Sequence, residues 1–350
     1  MSAFLVRPLA EVGSADAVLA GGKAAGLGEL IRAGFPVPPG FVVLTSAFPS
    51  GLAGSLSAVP AAVARERVAA APVPASLAAS VTAAYESLGA DRPAVAVRSS
   101  APFEDSSAAS FAGMQDTYLG VRGADAVLDA VRRCWASLHN DESVAYQRAR
   151  GLPPDGLAMA VVVQLMVRPR AAGVMFTRSP VTGDRSVVAI EGTWGLGSAL
   201  VGGEVTPDHL TVSKVTGEIT GRQVGSKLRL HSFEPNGPGF SASAMPLALR
   251  GRSCLSDDEA RALAAFGRRV EEHYGVPQDI EWALLGELPG SGSVELPGDA
   301  AALLPGDAAE RIRLLQSRPE TVWAAREQAP VATPKPRASD HVLAWLEKPM

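Results

Sequence analysis

The 350-residue sequence has little cysteine, no long apolar run and no excess of basic charge. Its two cysteines, Cys134 and Cys254, form no CxxC pair, so neither a disulfide framework nor a zinc site is expected. No apolar run reaches the roughly 18 residues that a membrane-spanning helix needs. The 32 basic and 36 acidic side chains give a net charge of −4, which argues against nucleic acid as a partner. The N-terminus lacks a basic segment followed by an apolar one, so we expect a cytoplasmic protein.

Segments of helical and of strand character alternate along the chain and predict a mixed α/β (α+β) fold with several lobes. The expected helices are 22–33, 125–138 and 256–274, the last opening with a capping box of Ser256 and Glu259. The expected strands are 94–98, 161–167, 172–177, 187–191, 279–285 and 312–317. The glycine-rich segment 192–197 is expected to be a turn, and it lacks the GxGxxG order of a dinucleotide fold.

A pair of carboxylates gives the first chemical signal, in the segment DIEWAL. Alternate side chains of a strand face opposite sides, so Ile280, Trp282 and Leu284 are expected to form a core face. Asp279 and Glu281 then point together to the other side. Two carboxylates on one face can share a hard cation such as Mg²⁺, although a plain solvated strand face fits the same pattern.

A second polar pair follows in the segment LLQSRP, where Gln316 and Arg318 share one strand face just before a proline. An amide oxygen suits a metal ion, and a guanidinium suits a phosphate. If the two strands are neighbours, these side chains converge with Asp279 and Glu281. The sequence leaves that pairing open.

Two more cationic positions are candidates for phosphate binding. Lys23 follows two glycines at an expected helix start, where backbone N–H groups and a lysine attract anions. This is not a Walker A loop, because Ala24 stands where that loop needs Ser or Thr. Arg98 ends a strand and precedes two serines, a setting that fits a phosphate clamp and an ordinary salt bridge equally. The segment GMQDT at 113–117 fits a mobile lid over a nucleotide.

Six segments, taken in order, carry a family resemblance: GGKAAGLGELIRAGFPVPPGFVV, AVRSSAPFEDSSAASFAGMQDTYLGV, GVMFTRSPVTGD, GLGSALVGGEVTPD, DIEWAL and LLQSRPE. This order resembles the ATP-binding domain of phosphoenolpyruvate synthase and pyruvate phosphate dikinase. The same domain opens rifampicin phosphotransferase and forms a separate subunit of phenylphosphate synthase. The resemblance covers roughly residues 5–323.

The resemblance implies an ATP-grasp fold over residues 1–325, with the nucleotide held between lobes. The N-terminal lobe would be about 1–95 and the remaining lobes about 96–325. A flexible insertion is expected at 286–309, and a Pro/Ala-rich tail at 326–350. In the family a short turn joins the last two motifs, whereas residues 282–315 separate Glu281 from Gln316 here.

The resemblance also implies roles for individual residues. Those expected to bind the nucleotide are Lys23, Arg98, Gly113, Thr117, Gln164, Met166, Glu281, Gln316 and Arg318. Those expected to act in catalysis are Lys23, Arg98, Asp279, Glu281 and Arg318. ATP and Mg²⁺ are the expected cofactors, with Mg²⁺ on Glu281 and Gln316. Gln164 and the backbone near Met166 are expected beside the adenine.

Members of the family transfer a phosphoryl group from ATP to a histidine and release AMP and inorganic phosphate. In full-length relatives this histidine lies in a Gly-rich T/S-H motif on a swivelling domain, and none of the five histidines here has that setting. We therefore expect a component whose partner is a separate phosphohistidine-carrying domain or subunit. The final acceptor is expected to be a small molecule such as pyruvate, a phenol or an antibiotic. A stand-alone small-molecule kinase and a catalytically silent nucleotide-binding regulatory protein are the alternatives.

Overall fold

The computed structural model describes residues 5–49, 59–102, 105–106, 109–110, 116–149, 158–234, 239–289, 307–321 and 323. Within these residues, no helix has both the length and the apolar character needed to cross a membrane. The expected lid residue Gly113, the tail 326–350 and most of the insertion 286–309 lie outside the described residues.

The first half of the chain builds a five-stranded antiparallel sheet, here called the N-terminal sheet, in the order β1-β2-β7-β3-β6. The strands are β1 (Val6–Pro8), β2 (Gly40–Val43), β3 (Val95–Ser100), β4 (Asp105–Ser106), β5 (Ala109–Ser110), β6 (Thr117–Val121) and β7 (Ala160–Leu165). Strands β4 and β5 pair with each other. The helices are α1 (Ala17–Arg32), α2 (Ala61–Ala69), α3 (Ala75–Glu86), α4 (Ala124–Ala136) and α5 (Asp141–Ala149). Short 3-10 turns occupy Leu9–Glu11, Ser14–Asp16, Thr45–Ala47 and Ser137–His139.

Both faces of the N-terminal sheet are covered, which explains the continuous apolar run of its central strand β7. Val161 and Val163 pack with α2, α3 and α4 in one buried cluster. Ala160 and Val162 face the opposite side and pack with α1. A strand buried on both faces needs apolar residues at every position rather than at alternate ones.

The second half builds a six-stranded antiparallel sheet, here called the C-terminal sheet, in the order β11-β10-β9-β8-β14-β15. The strands of this half are β8 (Pro169–Phe176), β9 (Val187–Trp194), β10 (Asp208–Ser213), β11 (Ile219–Gln223), β12 (Arg229–Phe233), β13 (Phe240–Ala244), β14 (Gln278–Leu285) and β15 (Ile312–Pro319). Strands β12 and β13 form a separate hairpin. The helices are α6 (Ser198–Val201), α7 (Leu247–Arg250), α8 (Asp257–Tyr274) and α9 (Ala308–Arg311).

One face of the C-terminal sheet is covered by α8. The predicted core face of β14 is confirmed, because Ile280, Trp282 and Leu284 are fully buried in the cluster that also holds Leu263 and Val270 of α8. This burial turns the odd-numbered positions of β14 away from the core.

The predicted capping box of α8 is also confirmed. The backbone N–H of Glu259 donates to Ser256 Oγ, and the backbone N–H of Ser256 donates to the Glu259 carboxylate. The helix ends at Gly275, whose φ of 71° is the left-handed conformation that favours glycine at this position.

The expected turn at 192–197 is wrong for its first half, since β9 continues through Trp194. Gly192 lies within this strand. A Cβ at this position would come 2.9 Å from Cys254 Sγ and 3.2 Å from the Trp282 ring. Close packing, not a turn, therefore requires this glycine. The chain turns only at Gly195, where φ is 73°.

The fold is thus a mixed α/β structure of two antiparallel sheets with helices packed against them. The N-terminal sheet takes strands from both sides of residue 95, where the sequence analysis expects a boundary between lobes. The division into lobes and the extent of the domain stay predictions.

Candidate active site

A cleft of about 360 Å³ is lined by residues of both sheets. That volume lies in the usual range for small-molecule sites. Its charged lining side chains are Arg98 on β3 and Glu281 on β14, and most of the rest of the lining is apolar. Such a lining suits a ligand with one charged part and one flat, apolar part.

The two C-terminal motifs are neighbours, as the convergence argument requires. Strands β14 and β15 pair antiparallel, with Glu281 opposite Gln316 and Asp279 opposite Arg318. The register places an acidic side chain directly across from an amide and a second one across from a guanidinium. The long connection between the motifs therefore does not prevent the hairpin, in keeping with the slow growth of loop-closure cost with length.

A β-bulge interrupts this pairing next to Glu281. Trp282 lies opposite Leu314, while Glu281 lies opposite Gln316, so Leu315 is the extra residue. The carbonyl of Leu315 accepts a hydrogen bond of 3.2 Å from Arg98. Bulges commonly re-aim groups beside functional sites, and this one links β15 to the N-terminal sheet.

Arg98 connects both sheets through its guanidinium. One terminal nitrogen, Nη2, donates to Glu281 Oε2 at 2.8 Å and to Gln316 Oε1 at 2.7 Å. The other, Nη1, makes the bond to the Leu315 carbonyl. Arg98 Nε is buried and has no hydrogen-bond partner in the described part of the chain. The guanidinium therefore has one buried N–H that no described group satisfies.

The charge state of Glu281 follows from these contacts. Burial acts to raise the pKa of Glu281, but the nearby positive charges, that of Arg98 foremost, together outweigh burial and lower that pKa below its usual value. The charges of Lys23 and Arg318 act in the same direction. Glu281 is therefore an anion at neutral pH, as a metal ligand must be.

Asp279 has a different environment on the same strand face. Its Oδ2 accepts from both Nε and Nη2 of Arg318, at 2.8 and 2.6 Å. Burial raises the pKa of Asp279, and the contact with Arg318 only partly offsets the rise. This double hydrogen bond fixes the plane of the Arg318 guanidinium, so the structure places Asp279 as its support.

Lys23 lies on the N-terminal side of the same charged region. Its ammonium donates to the carbonyl of Ser99, the residue after Arg98, at 2.8 Å, and its side chain is largely buried. Since its charge also lowers the pKa of Glu281, Lys23 belongs to the electrostatic environment of the Arg98–Glu281–Gln316 cluster.

The two glycines before Lys23 hold α1 against β3. Gly21 has a φ of 77°, and a Cβ there would lie 2.1 Å from the carbonyl oxygen of Ser100. The backbone N–H of Gly22 donates to Ala101, and that of Ala24 donates to Ser100 Oγ. These N–H groups thus bond to protein, as the ammonium of Lys23 also does.

The residues expected beside adenine line the cleft, but two of their donors are already used. Gln164 is buried, and its amide donates to the carbonyl of Pro38 at 3.2 Å. The backbone N–H of Met166 donates to the carbonyl of Ala94. Met166 Sδ accepts from the N–H of Gly120 at 2.9 Å. These residues contribute shape and apolar surface to the lining.

Of the two remaining expected residues, the structure describes Thr117 and not Gly113. Thr117 begins β6, pairs with Arg98 across the strands and lines the cleft. Gly113 lies outside the described residues, so the expected lid stays a prediction.

Some lining residues were not found from the sequence. They include Leu196 and Ser198 after β9, and Phe240 at the start of β13. Leu196 and Ser198 fall in the segment GLGSALVGGEVTPD, whose sequence carries the family resemblance but no separate signal for these two side chains. Phe240 carries no local signal, because its place depends on the packing of the β12–β13 hairpin.

A family model described as the pyruvate phosphate dikinase AMP/ATP-binding domain matches residues 17–339. The chain belongs to this family. One relative within it is a probable phosphoenolpyruvate synthase of Methanothermobacter thermautotrophicus, 41% identical over 299 residues, which are 79% of this chain and 43% of the relative. A rifampicin phosphotransferase of Streptomyces sp. is 44% identical over 305 residues, 81% of this chain and 35% of the relative.

A third relative is the prodigiosin synthesizing transferase PigC of Serratia marcescens, 37% identical over 320 residues, 90% of this chain and 33% of the relative. The chain thus spans less than half the length of these curated relatives. A solved structure, that of PH1788 from Pyrococcus horikoshii Ot3, covers 84% of this chain and 97% of its own at 13% identity. Its TM-score is 0.31, and a likeness this weak says nothing about the fold.

Proposed function

We propose that this chain binds ATP and Mg²⁺ in the cleft between its two sheets, in the manner of an ATP-grasp fold. A phosphoryl group of the nucleotide then passes to a histidine on a separate domain or subunit, and from there to a small-molecule acceptor. In sum, ATP, water and histidine give AMP, inorganic phosphate and phosphohistidine. The observation that carries the proposal is the Arg98–Glu281–Gln316 cluster, of which Arg98 and Glu281 line the cleft.

The chemistry of the donors fits Mg²⁺, which prefers oxygen ligands. The Glu281 carboxylate and the Gln316 amide oxygen face each other across two strands, and one cationic nitrogen of Arg98 contacts both. The space between these oxygens therefore already accommodates positive charge. In the described part of the chain, no group of three or more Asp, Glu, His or Cys side chains could hold a metal. Glu281 and Gln316 would supply part of the coordination shell, and phosphate and water oxygens the rest.

The work of the protein is to bind and neutralise the triphosphate, because phosphoryl transfer depends mainly on positioning and charge. Bound Mg²⁺ supplies charge neutralisation and aligns the phosphate oxygens. Arg98, released from Glu281 and Gln316, turns its guanidinium to the phosphates. Lys23 and Arg318 add two further positive charges, and Asp279 acts through Arg318 as a positioning residue. The acceptor histidine is itself the nucleophile, so no general base is needed from this chain.

The position of the histidines supports an acceptor from outside. None of the histidines that the structure describes lines the cleft. His231, the one whose side chain contacts a lining residue, is almost completely buried and so is poorly placed to accept a phosphoryl group.

The proposal is tested by incubating the chain with Mg²⁺ and ATP labelled in the β-phosphate, with and without a histidine-carrying domain of a relative. We expect AMP and labelled phosphohistidine on the added domain only. Stoichiometric phosphohistidine on the isolated chain would refute the separate acceptor. ADP formed with a small molecule alone would identify a stand-alone kinase, and ATP binding with no turnover in any mixture would identify a regulatory protein.

A further inference from the structure

A serine and a histidine form a hydrogen-bonded pair at the cleft, and a glutamate lies next to the histidine. Ser198 lines the cleft, and its Oγ lies 2.9 Å from His231 Nδ1. The other ring nitrogen of His231, Nε2, is buried without a hydrogen-bond partner among the described residues, and the carboxylate of Glu204 lies 3.5 Å from it. The proposed roles of the phosphate-binding residues make no use of these three side chains.

The backbone holds His231 against the segment that carries Ser198. The N–H of Leu196 donates to the carbonyl of His231 at 2.8 Å, and Gly195 forms an isolated bridge with the same residue. A Cβ at Gly195 would come 2.4 Å from that carbonyl, so only glycine permits this approach. The His231 ring also packs on Phe240, another lining residue, with ring centroids 4.7 Å apart. The backbone contacts and the packing on Phe240 fix the His231 ring, and this ring in turn positions the Ser198 hydroxyl.

The direction of the hydrogen bond follows from Glu204. A carboxylate near Nε2 favours the tautomer that carries its proton on Nε2. Nδ1 is then the acceptor, and Ser198 donates its hydroxyl proton to it. A hydroxyl that donates one bond keeps lone pairs for another, so Ser198 offers the cleft a hydrogen-bond acceptor.

We propose that Ser198, positioned by His231, accepts a hydrogen bond from the nucleoside part of the bound nucleotide. The donor is an N–H or O–H group, either the base amino group or a ribose hydroxyl. The contact makes Ser198 a specificity-determining residue, since a nucleotide without that donor leaves the serine unsatisfied. This inference rests on the proposed function, because it needs ATP in this cleft.

The test measures binding of four nucleotides to the full chain by calorimetry, so that turnover is not needed. The nucleotides are ATP, inosine triphosphate, 2′-deoxy-ATP and 3′-deoxy-ATP. We expect Ser198→Ala to weaken ATP binding about threefold to tenfold, the effect of one neutral hydrogen bond. The nucleotide that lacks the partner donor should bind wild type and variant alike: the inosine nucleotide if the base amino group is the partner, a deoxy nucleotide if the ribose is.

Two further variants separate this role from a structural one. Ser232→Ala removes a serine from the same strand as His231, one that contacts Ser241 and does not line the cleft, and should leave binding unchanged. His231→Phe keeps a ring against Phe240 but removes the acceptor. Its effect should not add to that of Ser198→Ala, because both break one chain of bonds.

Unchanged ATP binding in Ser198→Ala, or an equal loss for all four nucleotides, would overturn the inference. Full additivity of the two substitutions would overturn the part assigned to His231. If wild type binds no ATP, the proposed function fails and this inference fails with it.

Discussion

Two groups of side chains, one at the cleft and one in the core, each contain an ion pair, but their surroundings differ. Arg98 and Glu281 are partly accessible, with 12% and 29% of their side-chain surfaces exposed. Lys227 and Asp208 pair with 0% and 1% exposed. Arg98 leaves its Nε without a partner among the described residues.

The core pair, in contrast, is saturated by protein. Asp208 also accepts from the backbone N–H groups of Gly225 and Cys254, at 2.8 and 2.7 Å, and Lys227 also donates to the Gly225 carbonyl. The pair ties the start of β10 to two loops. A fully buried pair holds structure, whereas a partly exposed cluster at a cleft can exchange its partners for a ligand. The predictions below follow from this difference.

The largest effect is expected for the core pair. Lys227→Met should lower the free energy of unfolding by about 3–5 kcal/mol, because it leaves Asp208 charged and buried without its counter-ion. Urea denaturation measures this value. The matched control is Arg261→Met on the surface of α8, where Arg261 pairs with exposed Asp257 and Asp258 and the loss should stay below about 1 kcal/mol. Equal losses in the two variants would remove the distinction between the clusters.

Glu281→Ala should instead abolish function with little effect on folding. Removal of the anionic metal ligand should reduce Mg²⁺-dependent turnover by about a hundredfold to a thousandfold, the scale found when one preorganised charge-stabilising group is lost. Turnover is measured as AMP release, and the variant should stay folded, losing only the stability that the Arg98–Glu281 ion pair contributes. Glu218→Ala, at an exposed turn, serves as the control. Near-normal turnover would remove Glu281 from the metal site.

The contributions of the two β14 carboxylates, Asp279 and Glu281, to the free energy of unfolding should change with pH in opposite directions. The lowered pKa of Glu281 means that its contribution to stability is present above its usual value of 4.5 and is lost as pH falls through the folded value. The raised pKa of Asp279 means that its contribution is present below its usual value of 3.8 and is lost as pH rises through the folded value.

This sign difference is measured by unfolding wild type, Glu281→Gln and Asp279→Asn between pH 3 and 7. Wild type should lose stability relative to Glu281→Gln as the pH falls through the acidic range. It should lose stability relative to Asp279→Asn as the pH rises through the same range. The same sign for both carboxylates would contradict the environments described for them.

The smallest effect on ATP binding is expected from changes in the segment that joins β14 to β15. Deletion of residues 289–305 should leave ATP affinity unchanged, because the pairing of β14 with β15 involves none of these residues. The deletion retains Leu288, which packs against the core of the C-terminal half. Loss of ATP binding in a folded deletion variant would make the connection part of the site.

The sequence predicted much of this arrangement where the pattern is local. The period of two in β14 gives its core face, and two cationic positions together with two polar pairs give the charged wall. The sequence leaves the pairing of β14 with β15 open, because strand order depends on contacts between distant segments. The bulge at Leu315 and the double contact of Arg98 with Glu281 and Gln316 have no local signal. Ser198 and His231 were not linked, because they meet only through the packing of β12 on the segment after β9.

The central claim is that Arg98 exchanges Glu281 and Gln316 for a phosphate when the nucleotide binds. A crystal structure with Mg²⁺ and a non-hydrolysable ATP analogue measures this directly. We predict the analogue between the two sheets, a metal ion on Glu281 and Gln316, and the Arg98 guanidinium on the phosphates. An analogue bound elsewhere, or an Arg98 that still bridges Glu281 and Gln316 beside bound nucleotide, would contradict the account.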